Sequence, residues 1–121
     1  MALHIAAGRL GEFGEEEVAT KLKSRGLIIL DRNWRIREGE IDIVATDGQL
    51  IIFVEVKTRS SARYGDPLEA ISPAKARRLQ RLALAWLASN QRLGASYRID
   101  VAGVTISRSG AVVIDHRESI L

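Results

Sequence analysis

Two short stretches, Gly39-Glu40-Ile41-Asp42-Ile43-Val44 and Phe53-Val54-Glu55-Val56-Lys57-Thr58-Arg59, alternate apolar and charged residues with a period of two. That period belongs to β-strands, whose successive side chains point to opposite faces. Asp47-Gly48 lies between them and suits a two-residue hairpin turn, because Asp and Gly tolerate the positive φ such turns need. With that turn Thr46 faces Gln49, Asp42 faces Phe53, Glu40 faces Glu55, and Glu38 faces Lys57. Directly paired residues share a face. Glu40, Asp42, Glu55 and Lys57 are therefore expected on one side, and Ile41, Ile43, Val54 and Val56 on the other. Asp42 and Glu55 become diagonal neighbours, roughly 7–8 Å apart and within reach of one shared cation.

Charges alternating along a strand are ordinarily just its solvated face, and Lys57 has Glu38 and Glu55 as candidate ion-pair partners. Acids facing each other across strands are nevertheless destabilising unless something neutralises them. The Ile, Val and Phe around these acids are also too apolar for a freely wetted face. A divalent metal is the expected counter-ion.

The rest of the chain supplies the setting. Its 121 residues suffice for one domain with its own core, taken as 1–121. The absence of cysteine excludes a disulfide framework and a thiolate metal site. No apolar run approaches the roughly 20 residues that span a bilayer, and the N-terminus lacks a signal-peptide pattern. A soluble, cytoplasmic chain with no membrane partner is expected. A helix is predicted from about Ala6 to Arg25, closed by Gly26, then a strand over Leu27–Ile36 and the hairpin. Ser60–Leu68 reads as a polar loop. Ser72-Pro73 offers an N-cap and a first-turn proline for a second helix reaching about Asn90, with Leu79, Leu82, Ala83 and Trp86 as its packing stripe. Tyr97–Ile106 and Ala111–Asp115 read as two further strands. The order α-β-β-β-α-β-β predicts an α/β fold, a mixed sheet flanked by helices.

The first helix carries Glu12, Glu15, Glu16 and Glu17. Of these, Glu15 shares its stripe with Val18, Ala19 and Leu22, three, four and seven positions on. A carboxylate on a packing face is costly unless paired, hydrogen-bonded or metal-bound. If this helix packs over the charged side of the hairpin, Glu15 joins Asp42 and Glu55.

Asp42…Glu55-Val56-Lys57 resembles the D…(D/E)-x-K signature of restriction-endonuclease-like nucleases. Together with Gly11-Glu12-Phe13-Gly14-Glu15, Gly39-Glu40-Ile41-Asp42 and Phe53–Arg59, it resembles the bacterial YraN family. Gly65, Pro67, Lys75 and Arg98-Ile99-Asp100-Val101 extend the match over most of the chain. The resemblance implies a restriction-endonuclease-like fold similar to Holliday-junction resolvases and the tRNA-splicing endonuclease catalytic domain. It supplies no assigned activity. One departure is Ile41, which stands where the signature usually has proline and bears on strand entry more than on metal binding.

Phosphodiester hydrolysis needs a nucleophilic water and neutralisation of the phosphoryl charge. The resemblance implies Asp42 and Glu55 as ligands of Mg²⁺ or Mn²⁺, completed by the Val56 carbonyl, with Lys57 placing the water or stabilising developing charge. Glu15 corresponds to the helix acid of similar resolvases, and Glu40 is an outer partner of the metal or a salt-bridge acceptor for Arg35, Arg37 or Lys57. Net charge is +3 and the pI is about 9.7, with arginine in the majority among basic residues. Arg-rich basicity suits phosphate. Arg35, Arg37, Arg59, Arg63 and Lys75 are the candidate nucleic-acid contacts. DNA is expected ahead of RNA, and similar resolvases imply a homodimer. Trp34 is assigned to the core or a dimer contact, Asp100 to an ion pair with a neighbouring Arg, and His4 and His116 no role. Two functions follow: a metal-dependent endonuclease, structure-selective in the manner of resolvases, or an inactive nucleic-acid-binding or protein-interaction module on the same fold.

Overall fold

The computed structural model describes residues 7–60 and 65–121. Helix α1 (Ala7–Ser24) is followed by strands β1 (Ile28–Ile36), β2 (Gly39–Thr46) and β3 (Ile51–Arg59). A short 3-10 turn (Pro67–Ala70) leads into helix α2 (Pro73–Ser89), then β4 (Tyr97–Ile106) and β5 (Val112–Arg117). The five strands lie in the order β1-β2-β3-β4-β5, with β3 and β4 parallel and every other pair antiparallel. This is the α/β mixed sheet flanked by helices that the order of elements predicts.

The helix ends follow from local chemistry. At the end of α1, Gly26 takes φ 87°, and the N–H groups of Gly26 and Leu27 bond the carbonyls of Lys23 and Leu22. This is the left-handed cap that glycine adopts without steric cost. At the start of α2, the Ser72 hydroxyl accepts from the Lys75 N–H at 3.1 Å, with Pro73 in the first turn.

Apolar residues on both sides of β3 build two half-cores. Ile52, Val54 and Val56 pack with Val18, Ala19 and Leu22 of α1. Ile51 and Phe53 pack with Leu79, Leu82, Ala83, Trp86 and Leu87 of α2, where Phe53 meets Trp86 and Tyr97 edge-on. Trp86 also donates its ring N–H to Asp31 of β1 at 3.0 Å. Gly103 leaves room on β4 for the buried Pro67, since a Cβ there would strike the proline ring. That contact holds the 3-10 turn against the sheet and replaces the last part of the expected loop with ordered structure.

Three expectations for the hairpin need correction. First, the turn is longer than Asp47-Gly48: Thr46 pairs with Ile51 and Val44 with Phe53, not Asp42 with Phe53. The Asp47 carboxylate accepts from the Gln49 and Leu50 N–H groups, and the Thr46 hydroxyl accepts from Gly48 N and donates to Leu50 O. These side chains satisfy a wider loop that a backbone-only turn leaves unpaired. The register moves by two positions, so the face of each β3 residue is preserved. Second, Ile41 leaves the face of Ile43 and joins the α2 half-core beside Trp34. Asn33, at φ 52°, breaks the alternation of β1 between Arg32 and Trp34. Arg32 therefore turns to Glu16 of α1 while Trp34 and Ile36 pack toward α2, which places Trp34 in the core. Third, Glu38 lies in the turn between β1 and β2 and does not face Lys57.

Candidate active site at the parting of β2 and β3

The β2–β3 ladder covers Ile43–Thr46 and Ile51–Val54. One step beyond its last pair stand Asp42 and Glu55. There the Asp42 carboxylate accepts from the Val56 N–H at 2.8 Å. A side chain thus takes the place of a strand carbonyl, and the two strands part around it. Asp42 is only 5 % exposed. Glu55 follows Ile51 and Phe53 along the α2 face of β3, and its side chain is 15 % exposed.

Two acids so placed disturb each other. Burial first, and the negative charge of Asp42 second, push the Glu55 carboxyl up to about 7. Burial also raises Asp42, as does the charge of Glu40, while the Val56 N–H bond opposes the rise. The two carboxyl groups are within hydrogen-bonding reach of each other. The cation present is Lys75 of α2, whose Nζ lies 3.6 Å from Glu55 Oε1. Lys75 is placed there by the Ser72 cap, which fixes the first turn of α2.

Glu15 approaches from α1. Its carboxyl is raised by burial, then by Asp42 and Glu40, and is lowered by Arg32 and a hydrogen bond from Asn33. The neighbouring Gly14 makes this approach possible: any Cβ there would overlap the Thr58 side chain of β3. The helix therefore lies close to the strand at this point and carries Glu15 toward the pair. Glu40 accepts from Arg35 at 2.7 Å and so is held by an exposed ion pair across β1 and β2.

Asp42 and Glu55 are thus brought together, Glu15 and Glu40 lie near enough for their charges to be felt, and Lys75, expected as a phosphate contact, stands beside Glu55. Lys57 is exposed, and among the described residues it has no ion-pair partner. Arg37 is exposed in the β1–β2 turn, Arg35 is committed to Glu40, and Arg59 reaches the Gly65 carbonyl at 3.5 Å. Arg63 and His4 lie outside the described residues. Among the described residues no three acids or histidines stand close enough to hold a metal as a set. The donors facing one another are the two carboxylates of Asp42 and Glu55, with the Val56 peptide beside them.

A second polar cluster escaped the sequence. Asp100 on β4, fully buried, accepts from Arg98 Nε at 3.0 Å and from Ser119 N at 3.0 Å, and bonds His116 Nε2 at 2.8 Å. The Arg98 pairing was expected. His116, assigned no role, is a structural partner of Asp100, and β5 runs two residues past its expected end to deliver it.

Among the described residues no helix is long and apolar enough to cross a membrane. A model for the uncharacterised protein family UPF0102 matches residues 14–104, a stretch that holds Glu15, Asp42, Glu55, Lys57 and Lys75. A UPF0102 protein of Parafrankia sp. is 50 % identical over 109 residues, covering 90 % of this chain and 92 % of that one. Another from Beutenbergia cavernae is 43 % identical over 115 residues, covering 95 % and 98 %. A third, from Streptomyces griseus, is 45 % identical over 119 residues, covering 95 % and 98 %. Among solved structures, Pyrococcus furiosus SfsA in complex with Ca²⁺ aligns with a TM-score of 0.39 and 17 % identity. That alignment covers 89 % of this chain and 60 % of that one, and it is too loose to carry an argument. The strong matches agree with the expected YraN-type motifs, and the chain belongs to the uncharacterised protein family UPF0102.

Proposed function

We propose that this protein is a metal-dependent endonuclease that hydrolyses phosphodiester bonds of nucleic acid, with branched or distorted DNA as the preferred substrate. The observation that carries this reading is the meeting of Asp42 and Glu55 at a break in the β2–β3 ladder, one acid buried and the other nearly so, with a single lysine contact that goes to Glu55. A structural ion pair has no use for the second acid, whereas a hard divalent cation does. The mixed sheet between two helices is consistent with a restriction-endonuclease-like fold.

The donors fit Mg²⁺ or Mn²⁺. Mg²⁺ commonly binds through one or two carboxylates and keeps its remaining positions for water and phosphate oxygens, so the lack of a third acid is no obstacle. Asp42 and Glu55 would hold the ion. Val56 gives its N–H to Asp42, and in an extended strand the carbonyl of the same residue faces the same edge, where it would serve as a third donor. When bound, the ion supplies charge neutralisation at the phosphoryl group and a more acidic water. The N–H of Val56 holds Asp42 in place, and α1 brings Glu15 to the side of Asp42, where it orients a water. Lys57 shares the face of Glu55 by strand alternation and is free to meet the scissile phosphate. Arg37 and Arg59 flank the same edge and suit the backbone phosphates on either side.

The test is cleavage of duplex, single-stranded and branched DNA, and of matching RNA, with Mg²⁺ or Mn²⁺, by the native protein and by Glu55→Gln and Lys57→Ala. Metal-dependent cutting lost in both folded variants supports the proposal. A second reading, a binding module on a nuclease fold, draws support from the Lys75–Glu55 ion pair, which already neutralises half of the acidic pair. It expects salt-sensitive nucleic-acid binding that is unchanged in Glu55→Gln and no cutting.

A further inference from the structure

We infer that Lys75 is a positioning residue of the acidic site: its ammonium is the resident counter-charge of Glu55, and a divalent cation must displace it to bind. This inference rests on the metal-dependent reading above. Four observations carry it. The Lys75 side chain is 30 % exposed, so its ammonium has room to swing toward solvent without leaving α2. Its contact with Glu55, at 3.6 Å, is much longer than the 2.7 Å bonds of Arg32 to Glu16 and Arg35 to Glu40. A charge-assisted hydrogen bond at full strength is about 2.7–2.9 Å long, so the lysine neutralises Glu55 without being locked to it. The backbone is by contrast firmly set, since the Lys75 N–H is the one capped by Ser72. Finally, Arg77, Arg78 and Arg81 continue the helix as exposed residues with no ion pair to the site. Lys75 therefore differs in kind from the basic residues beside it.

The consequence is an exchange of charges. With no metal, one ammonium faces two carboxylates. A bound divalent ion satisfies both acids and releases the ammonium, which is then at the rim of the site to take a phosphate oxygen of nucleic acid. The lysine both keeps the two acids together in the free protein and sets a threshold for metal binding.

The test is the binding of Mn²⁺ and Mg²⁺ alone by calorimetry at about pH 8.5, where carboxyl groups are ionised in both proteins compared. Lys75→Met, which keeps the stem and removes the charge, should bind Mn²⁺ about three- to fivefold more tightly, the effect of one partly screened charge. Lys75→Arg should restore the native affinity, and Arg81→Met, an exposed change further along α2 and away from the acids, should leave it unchanged. Equal Mn²⁺ affinity in the native protein and Lys75→Met overturns this inference and leaves the nuclease reading standing. Absence of Mn²⁺ binding in every protein, each folded by circular dichroism, overturns the metal reading and this inference with it.

Discussion

Two buried acids flank β3, Asp100 on β4 and Asp42 on β2, and the chain treats them in opposite ways. Asp100 is enclosed by Arg98, His116 and the Ser119 N–H. Arg98 continues to Glu118, and the Ile120 N–H bonds the Ile99 carbonyl, so the network ties the C-terminal residues to β4. Asp42 has one backbone N–H, a second acid beside it, and a lysine that reaches only that second acid. A buried charge with its full complement is a fastener; one left short is poised to take a ligand.

The largest effect that tests this contrast comes from Asp100. Asp100→Ala leaves Arg98 and His116 without their buried partner and frees the C-terminal residues, and should cost about 3–5 kcal/mol. Urea unfolding measures it. A loss well under 1 kcal/mol, within the range of an exposed ion pair, would mean that Asp100 is no fastener.

Glu55 should behave in the reverse manner. Its folded carboxyl titrates at about 7, above the ordinary value of 4.5. The folded chain then holds a proton that the unfolded chain has released. Stability from this group is fully present below about pH 4.5 and is lost as pH rises through about 7, a span on the order of 3 kcal/mol. Glu55→Gln should flatten that fall in urea unfolding between about pH 5 and pH 8. Asp42→Asn should lower the Glu55 titration midpoint, followed by carboxyl NMR, because Asp42 is the second cause of its rise after burial. An unchanged slope in Glu55→Gln would mean that burial does not raise Glu55, and an unmoved Glu55 midpoint in Asp42→Asn would mean that the two acids do not interact closely enough to share a metal.

A smaller effect is expected at the Gly14–Thr58 contact. Gly14→Ala forces α1 away from β3 and should cost about 1–3 kcal/mol by overpacking. It should also bring the Glu15 titration down, since burial and Asp42 are what raise it. Loss of stability with Glu15 unmoved would show that the contact packs the helix without placing the acid.

What was legible in the sequence was whatever is decided by neighbours along the chain. Gly26 and Ser72-Pro73 mark helix ends because capping is local, and the span of β4 follows from its apolar run. The alternation of β3 correctly put Glu55 opposite Val54 and Val56. The register did not follow, because Asp47 and Thr46 satisfy the loop with side chains, and residue type alone does not choose between a short and a wide turn. The faces of Trp34 and its partner Ile41 were missed because alternation breaks beside Asn33, at φ 52°, although Asn is a residue type enriched at positive φ. The pairings of Lys75 with Glu55 and His116 with Asp100 join different elements, and no local pattern announces them.

The cap at Ser72 gives the smallest effect and the sharpest separation of stability from site. Ser72→Ala removes the acceptor of the Lys75 N–H and should cost about 1 kcal/mol. The same N–H belongs to the residue whose ammonium lowers Glu55, so fraying the first turn of α2 should also let the Glu55 titration rise. Ser72→Asp keeps an acceptor at the cap and should restore both quantities. A stability loss with Glu55 unmoved would show that the Lys75 side chain finds Glu55 without help from the helix start. A rise in Glu55 together with the loss would show that a serine outside the acidic cluster sets its charge, whereas nothing at the Asp100 network depends on a cap in this way.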